Sequence, residues 1–352
     1  MVTVYPMGTT IYKPDKCWNG YTLVPESIGD KKPMRLIDMN GNVVHRWPED
    51  VLGAPKSELS RAQLLRNGNV VRLAGKYRCS PDKRPGGWIV ELDWYGNLIG
   101  KLMPPRGQSA HHNFQRLDNG HTFVVTFEDI PEEYKMKIKD PLRRNLYFES
   151  DAVLEFDDRG KIVWEWHAYE YFDINMVTLQ DFYPYDYYRE YYKVSKSVVT
   201  PWNRFGELFC DDWTHVNTVR IIPDNKWYDA GDERFKPGNV LINPRNFNRI
   251  YIIDKETKDI VWYYTGNFMG GLAHPHDPYM IPKGLPGAGN ILIFDNGIGG
   301  TLTMHCGRSA VLEINPVTKK VVWYYAPDNK FFSQYQGLAQ RLPNGNTLIC
   351  ET

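Results

Sequence analysis

The feature that most constrains this chain is an internal repeat. One unit reads as an apolar run, an Asp or Asn, a short polar turn, and a second run mostly closed by aromatic residues. Its copies are RLIDMNGNVVHRW, VELDWYGNLIGKL, LEFDDRGKIVWEW, YIIDKETKDIVWYY and LEINPVTKKVVWYY, anchored at Asp38, Asp93, Asp157, Asp254 and Asn315. β-Branched and aromatic residues around such a turn predict a β-hairpin. A second unit alternates with the first and sets a glycine just before a short apolar strand: NGYTLV, RNGNVVRL, DNGHTFVV, PGNVLIN, AGNILIF and PNGNTLIC, with Gly20, Gly68, Gly120, Gly238, Gly289 and Gly345.

Two hairpins per repeat make a four-stranded sheet. Six such sheets around an axis predict an all-β, six-bladed propeller occupying residues 1–352 as a single domain. Six glycine units face only five Asp hairpins, so the last blade lacks its outer hairpin after TLICET. Either the N-terminal strand (VTVY or TTIY) closes that blade as a clasp, or the natural chain continues. The one long gap between glycine units holds a tyrosine-rich insertion over roughly residues 168–210, between the third and fourth blades. Long insertions in compact folds are lids, binding loops or oligomer contacts. The expectation is a substrate lid or an arm that packs on a second copy of the chain.

Composition excludes some classes. Lys+Arg and Asp+Glu both total 42, so no global charge steers the chain to nucleic acid or an anionic membrane. No apolar run approaches the ~18 residues of a membrane-spanning helix, and MVTVYPMGTT has neither the basic nor the apolar region of a signal peptide. The five cysteines (Cys17, Cys79, Cys210, Cys306 and Cys350) are far apart, odd in number and without a CxxC pair. They read neither as a zinc site nor as a dense disulfide framework.

The histidines follow the repeat. HHNFQRLDNG, HVNTVRIIPDN and HPHDPYMIPKG fall on one another, which puts His111, His215 and His274 at one position, with Asn113, Asn217 and His276 two later. With His112, five of the nine histidines open the same strand in three blades. That strand is the innermost of a blade, so these side chains are expected to converge at one mouth of the central channel, the default place for a site. Asp211 and Asp212 precede His215; Arg245 and Arg308 sit on turns returning from second strands, where a guanidinium can face the axis. His305 is a weaker candidate, and His45, His121 and His167 fall in or beside outer strands.

At this point the chain resembles the arylsulfate sulfotransferase family. NGYTLV with LIDMNGNVVHRW, then HHNFQRLDNG, DDWTHVN, NPRNFNRIYIIDKETKDIVW and HPHDPYMIP…NILIFDNG follow that family's order. The resemblance implies a six-bladed propeller that moves a sulfuryl group between phenols through a sulfohistidine, with a small aromatic substrate and no cofactor. It assigns the nucleophile to His276, sulfate binding to His215, Asn217 and Arg245, and a further channel histidine to His111 or His112. It also implies a periplasmic or extracellular location. No GxxxxGK[ST] loop is present, consistent with a donor that is not a nucleotide.

The residues themselves leave three matters open. His274 and His276 are rival nucleophiles. Asp212 and Asp277 put negative charge where sulfate binds, so a divalent metal held by His111, His112, His215, His274 and His276 is a second reading. A third is a non-catalytic propeller that captures an oxyanion.

Overall fold

The computed structural model describes residues 9–25, 33–48, 51, 61–75, 87–144, 147–176, 210–297, 308–327, 331–333 and 335–351. In chain order the first sheet is β1 (Thr22–Val24), β2 (Arg35–Ile37) and β3 (Val43–Arg46). The second is β4 (Ala62–Leu64), β5 (Val70–Gly75), β6 (Gly87–Leu92) and β7 (Leu98–Leu102). The third is β8 (Ser109–Arg116), β9 (Thr122–Asp129), β10 (Tyr147–Phe156) and β11 (Ile162–His167), with β12 (Cys210–Asp212) added parallel to β10. Next come β13 (Val216–Ile221), β14 (Val240–Pro244), β15 (Ile250–Ile253) and β16 (Ile260–Tyr264), then β17 (His276–Met280), β18 (Ile291–Asp295), β19 (Ala310–Asn315) and β20 (Lys320–Tyr325). A last pair is β21 (Leu338–Arg341) with β22 (Thr347–Cys350).

The chain is thus an all-β propeller of four-stranded antiparallel blades, but the six complete blades expected from the repeat do not form. Four sheets are complete. The first sheet, β1–β3, is a fifth blade one strand short, and β21 with β22 stand as a separate two-stranded pair. The repeat overcounts because a glycine unit specifies one strand, not the partners that complete its sheet. The insertion largely lies outside the described residues.

The repeat has a local cause. At each anchor the side-chain oxygen of Asp or Asn caps its own turn. Asp93 Oδ1 accepts from the Tyr95 and Asn97 amides at 2.9 and 2.8 Å. Asp38, Asp157, Asp254 and Asn315 do the same in their turns. The side-chain amides of Asn42 and Asn97, donating to Asp38 and Asp93, and the backbone amides after them favour the ionised carboxyl, and backbone amides do so at Asp157; all three are held below their ordinary range.

The aromatic end of the unit joins neighbouring sheets. Trp47 Nε1 donates to the Asp93 carbonyl at 3.2 Å, Trp164 to Lys255 at 2.9 Å, and Trp262 to Pro316 at 2.9 Å. Each indole therefore reaches the hairpin turn of the next blade while its ring fills the seam. The core lies in these seams: Phe123, Trp166 and Val216 share one cluster across the third and fourth sheets, and Ile252, Trp262 and Ile293 another across the next.

Trp323 occupies in β20 the place that Trp262 has in β16, yet it is 37% exposed against 3%. Trp262→Ala should lower the unfolding free energy by roughly 3–5 kcal/mol, and Trp323→Ala by about 1 kcal/mol. Chemical denaturation of the two variants checks this; equal losses would contradict the seam account.

Candidate active site

The inner strands β8, β13 and β17 are edge strands that pack against one another. Each is interrupted near its start by an irregular register, at Ala110/Phe114, Val216/Val219 and His276/Tyr279. A bulge re-aims the side chains around it. Left-handed backbone appears here at His112 (φ 49°), His215 (47°), His274 (51°) and Asp277 (48°), which for a non-glycine residue costs on the order of 1 kcal/mol each. Polar side chains hold the bends: His274 N–H donates to Asn248 Oδ1 at 2.6 Å, Val216 N–H to Asp151 Oδ2 at 2.7 Å, and Asp277 N–H to Thr218 Oγ1 at 3.1 Å.

The register shifts one strand against the sequence alignment. The amides of Leu117, Ile222 and Ile281 close equivalent hairpin bonds, to His121, Asn239 and Asn290. Counted along the chain from them, His112, Asn217 and His276 stand five residues back, and Ala110, His215 and His274 seven. His111 stands six back, one residue from where the aligned motifs put it, and the β8 bulge holds one residue more than those of β13 and β17.

His276 is buried, and its Nδ1 donates to Asn296 Oδ1 at 2.6 Å and to the His274 carbonyl at 3.0 Å. Asn296 is itself fixed, its amide nitrogen donating to the Ser333 and Gln336 carbonyls at 3.0 and 2.8 Å. With the hydrogen on Nδ1, the lone pair is on Nε2. Burial, with help from the Arg245 charge, pushes this imidazole down to about 4, and His274 down to about 3. Both are neutral at physiological pH.

His111, His112 and His215 form a second group. The buried His111 stacks on Phe127 with 3.6 Å between centroids, and its Nε2 lies 2.7 Å from Asp151 Oδ1. Its Nδ1 is 2.7 Å from His112 Nδ1, and His112 Nε2 is 3.1 Å from His215 Nε2. His215 Nδ1 meets the Asp212 carboxylate. Lost hydration first, then nearby positive charge, pushes His112 and His215 well below the usual imidazole range. Burial lifts Asp151 and raises Asp212 to about 6, with Arg245 opposing the latter.

Arg245 joins the site. It opens the short 3-10 turn Arg245–Phe247, whose backbone is tied to the carbonyls of Thr214 and His215 at 3.2 and 3.1 Å. Its charge acts on His112, His215, His274 and His276 together. Arg308 is not brought in: its Nη2 donates to the Ala326 carbonyl at 2.5 Å, beside the outer hairpin. Asn217 is at the site, but its Oδ1 accepts from Asn243 at 2.7 Å and its Nδ2 donates to the Pro275 carbonyl at 2.9 Å. It shapes the His274–His276 loop. His305 and the side chain of Asp211 lie outside the described residues. Among the described residues no group of three or more His, Cys, Asp or Glu is arranged to hold a metal ion, and no helix is long and apolar enough to cross a membrane.

The profile described as arylsulfotransferase (ASST) matches residues 62–352, well over half of the chain. The chain belongs to the arylsulfotransferase family. No curated protein matches this chain. Among solved structures it is similar to a protein of unknown function from Bacteroides caccae, at 10% identity and TM-score 0.48 over 94% of this chain and 82% of that one. A mutant apocarotenoid oxygenase of Synechocystis is similar at 10% and 0.36, over 91% of this chain and 58% of that one. A protein from Lactobacillus plantarum follows at 8% and 0.35, over 92% and 69%. These likenesses are too distant to bear on function.

Three residues of the candidate site escape motif reading: Asp151, Asn296 and Arg220. Asp151 was visible as a carboxylate inside the strand YFESDAVLEF, and Asn296 as part of NILIFDNG. Arg220 accounts for Asp277. It pairs with that carboxylate from the neighbouring inner strand, with Arg61 at 3.5 Å and Asn113 Nδ2 at 3.4 Å adding to the contact. The Asp277 charge is spent on joining inner strands.

The depressed His276 carries a stability consequence. A folded value near 4 against an ordinary 6.5 means stability is full above 6.5 and is lost as pH falls through 4. For this residue alone the loss approaches roughly 3 kcal/mol. The unfolding free energy of His276→Gln should therefore fall less than wild type's between pH 7 and 4; parallel curves would contradict a buried neutral imidazole.

Proposed function

We propose that the protein transfers a sulfuryl group from an aryl sulfate ester to a phenolic acceptor, with His276 Nε2 as the nucleophile. The observation that carries this reading is the Nδ1 hydrogen bond to Asn296, which leaves an Nε2 lone pair on a neutral ring beside the Arg245 cation. Its rival His274 lends its backbone carbonyl to that same nitrogen.

In the first half-reaction Nε2 attacks sulfur and the bond from sulfur to the aryl oxygen breaks, its electron pair leaving on that oxygen. A proton relayed through the His112–His215 pair from the Asp212 carboxyl, which burial raises to about 6, makes the leaving group a phenol. The sulfuryl group stays on His276, whose ring is now positive and still holds its Nδ1 hydrogen. In the second half an acceptor phenol returns its proton to the pair and attacks sulfur, and the N–S electron pair goes back to Nε2. Arg245 supplies fixed positive charge for the sulfuryl oxygens. Family membership and convergence of these groups on one channel mouth support the assignment.

The scheme requires two chemical halves separated by release of the first phenol. Varying donor against acceptor should give parallel double-reciprocal lines, and His276→Ala should lose at least ~10³-fold in kcat/KM for the donor. Intersecting lines, or undiminished turnover in the variant, would refute the proposal.

A further inference from the structure

Beyond the histidines, neutral side chains lace inner strands together. Counted from the hairpin amides of Leu65, Leu117 and Ile281, Gln63, Gln115 and Tyr279 stand two residues back in β4, β8 and β17. Gln63 holds the Arg116 backbone with both ends of its amide, at 3.0 and 2.9 Å. The Ile221 amide donates to Gln115 Oε1 at 2.8 Å, and the Arg341 amide to the Tyr279 hydroxyl at 2.7 Å. Each partner is the residue one back in another inner strand. β13 departs from this pattern. Its residue two back is Arg220, whose Nη1 donates to Asn113 Oδ1 at 3.2 Å and whose Nη2 donates to the Asp277 carboxylate.

Asn113 follows His112, and Asp277 follows His276. One planar guanidinium therefore holds the neighbours of both histidines. Further contacts close the group. Asn113 Nδ2 lies 3.4 Å from Asp277 Oδ1, the Asp277 amide donates to Thr218 Oγ1 at 3.1 Å, and Arg61, just before β4, reaches both Asp277 oxygens at 3.5 Å. Side chains carried by four sheets meet at this carboxylate, which is 11% exposed. Asp277 has left-handed backbone, φ 48°, as has His112 at 49°. A non-glycine residue stays in that region only where its surroundings over-determine it. The contacts of Asp277 supply that constraint on the bend directly after His276.

We infer that Arg220 and Asp277 are positioning residues which, through Asn113, set the place of His276 Nε2 relative to the His112–His215 pair. Neither touches the reacting group. His276, His112 and His215 belong to three different sheets, so no single backbone fixes their separation. The Arg220 fork does, because it joins the residue after His276 to the residue after His112 from β13, the strand that His215 leads into. In sulfuryl transfer the nucleophile and the proton relay act on the two ends of one S–O bond, and a displacement of about 1 Å between such groups can cost on the order of 10²-fold in rate. The inference rests on the sulfuryl-transfer reading for that effect on rate; the placement of the rings does not depend on it.

Two measurements test this with separate failures. In NMR of ¹⁵N-histidine protein, Arg220→Gln should shift the ring signals of both His112 and His276 and leave that of His45, on the outer strand β3, in place. Unmoved His112 and His276 signals in the folded variant would overturn the positioning role whatever the enzyme does. Kinetically, Arg220→Gln should lose about 10²-fold in kcat for an aryl sulfate while KM changes by less than about three-fold. Arg341→Gln is the control. It opens the Arg341–Glu313 pair, at least as buried and set between β21 and β19, and should lower stability with kcat kept. Equal losses of kcat in the two variants, or full kcat in Arg220→Gln, would overturn the role. If Arg220→Gln does not fold, Arg220→Lys replaces it: the charge is kept but not the planar fork, and kcat should fall about ten-fold, no loss being the contrary result. Shifted ring signals beside a wild type that transfers no sulfuryl group would count against the transfer reading alone.

Discussion

The candidate site depends on three neighbouring inner strands that each bulge near their start. β8, β13 and β17 each abandon regular pairing within a few residues of their start. That irregularity turns His112, His215, His274 and His276 toward one place. The backbone strain is held by side chains from other strands and turns, such as Asp151, Asn248 and Asp295, and by the Arg220–Asp277 pair between adjacent inner strands. A largely buried pair of this kind, 15% and 11% exposed, is a poor source of net stability but is expensive to break from one side. It fixes the relative position of two blades just beneath the site.

Charge is distributed around this site with a consistent sense. Each carboxylate is engaged: Asp151 lies against His111, Asp212 meets His215, and Asp277 meets two arginines. A buried neutral imidazole is a better nucleophile than a protonated one. The same burial that keeps His276 uncharged is what makes the site costly at low pH.

Much of this was legible in the sequence. The hairpins could be read because each anchor Asp or Asn makes its own turn with its own side chain, a purely local interaction. The converging histidines could be read because a propeller turns sequence period into common radius. The blade count could not, since ring closure depends on strands far apart in the chain; β21 and β22 pair with each other but lack the outer hairpin a full blade needs. Nor could the one-residue offset of His111, which is set by bulge geometry, or the true partner of Asp277. Arg220 is 57 residues away and meets it only across the inner strands. Arg308 looked equivalent to Arg245, yet the backbone carbonyl of Ala326 holds it at the outer hairpin.

The central claim is that His276 Nε2 carries the group. Rapid acid-free quenching of the protein with an aryl sulfate and no acceptor, followed by peptide mapping, tests it most directly. The account predicts one sulfuryl group per chain on the peptide containing His276, stable to base, lost in acid, and discharged by added phenol. A sulfuryl group found on His274 or His215 instead, or rapid transfer with no adduct on any residue, would contradict it.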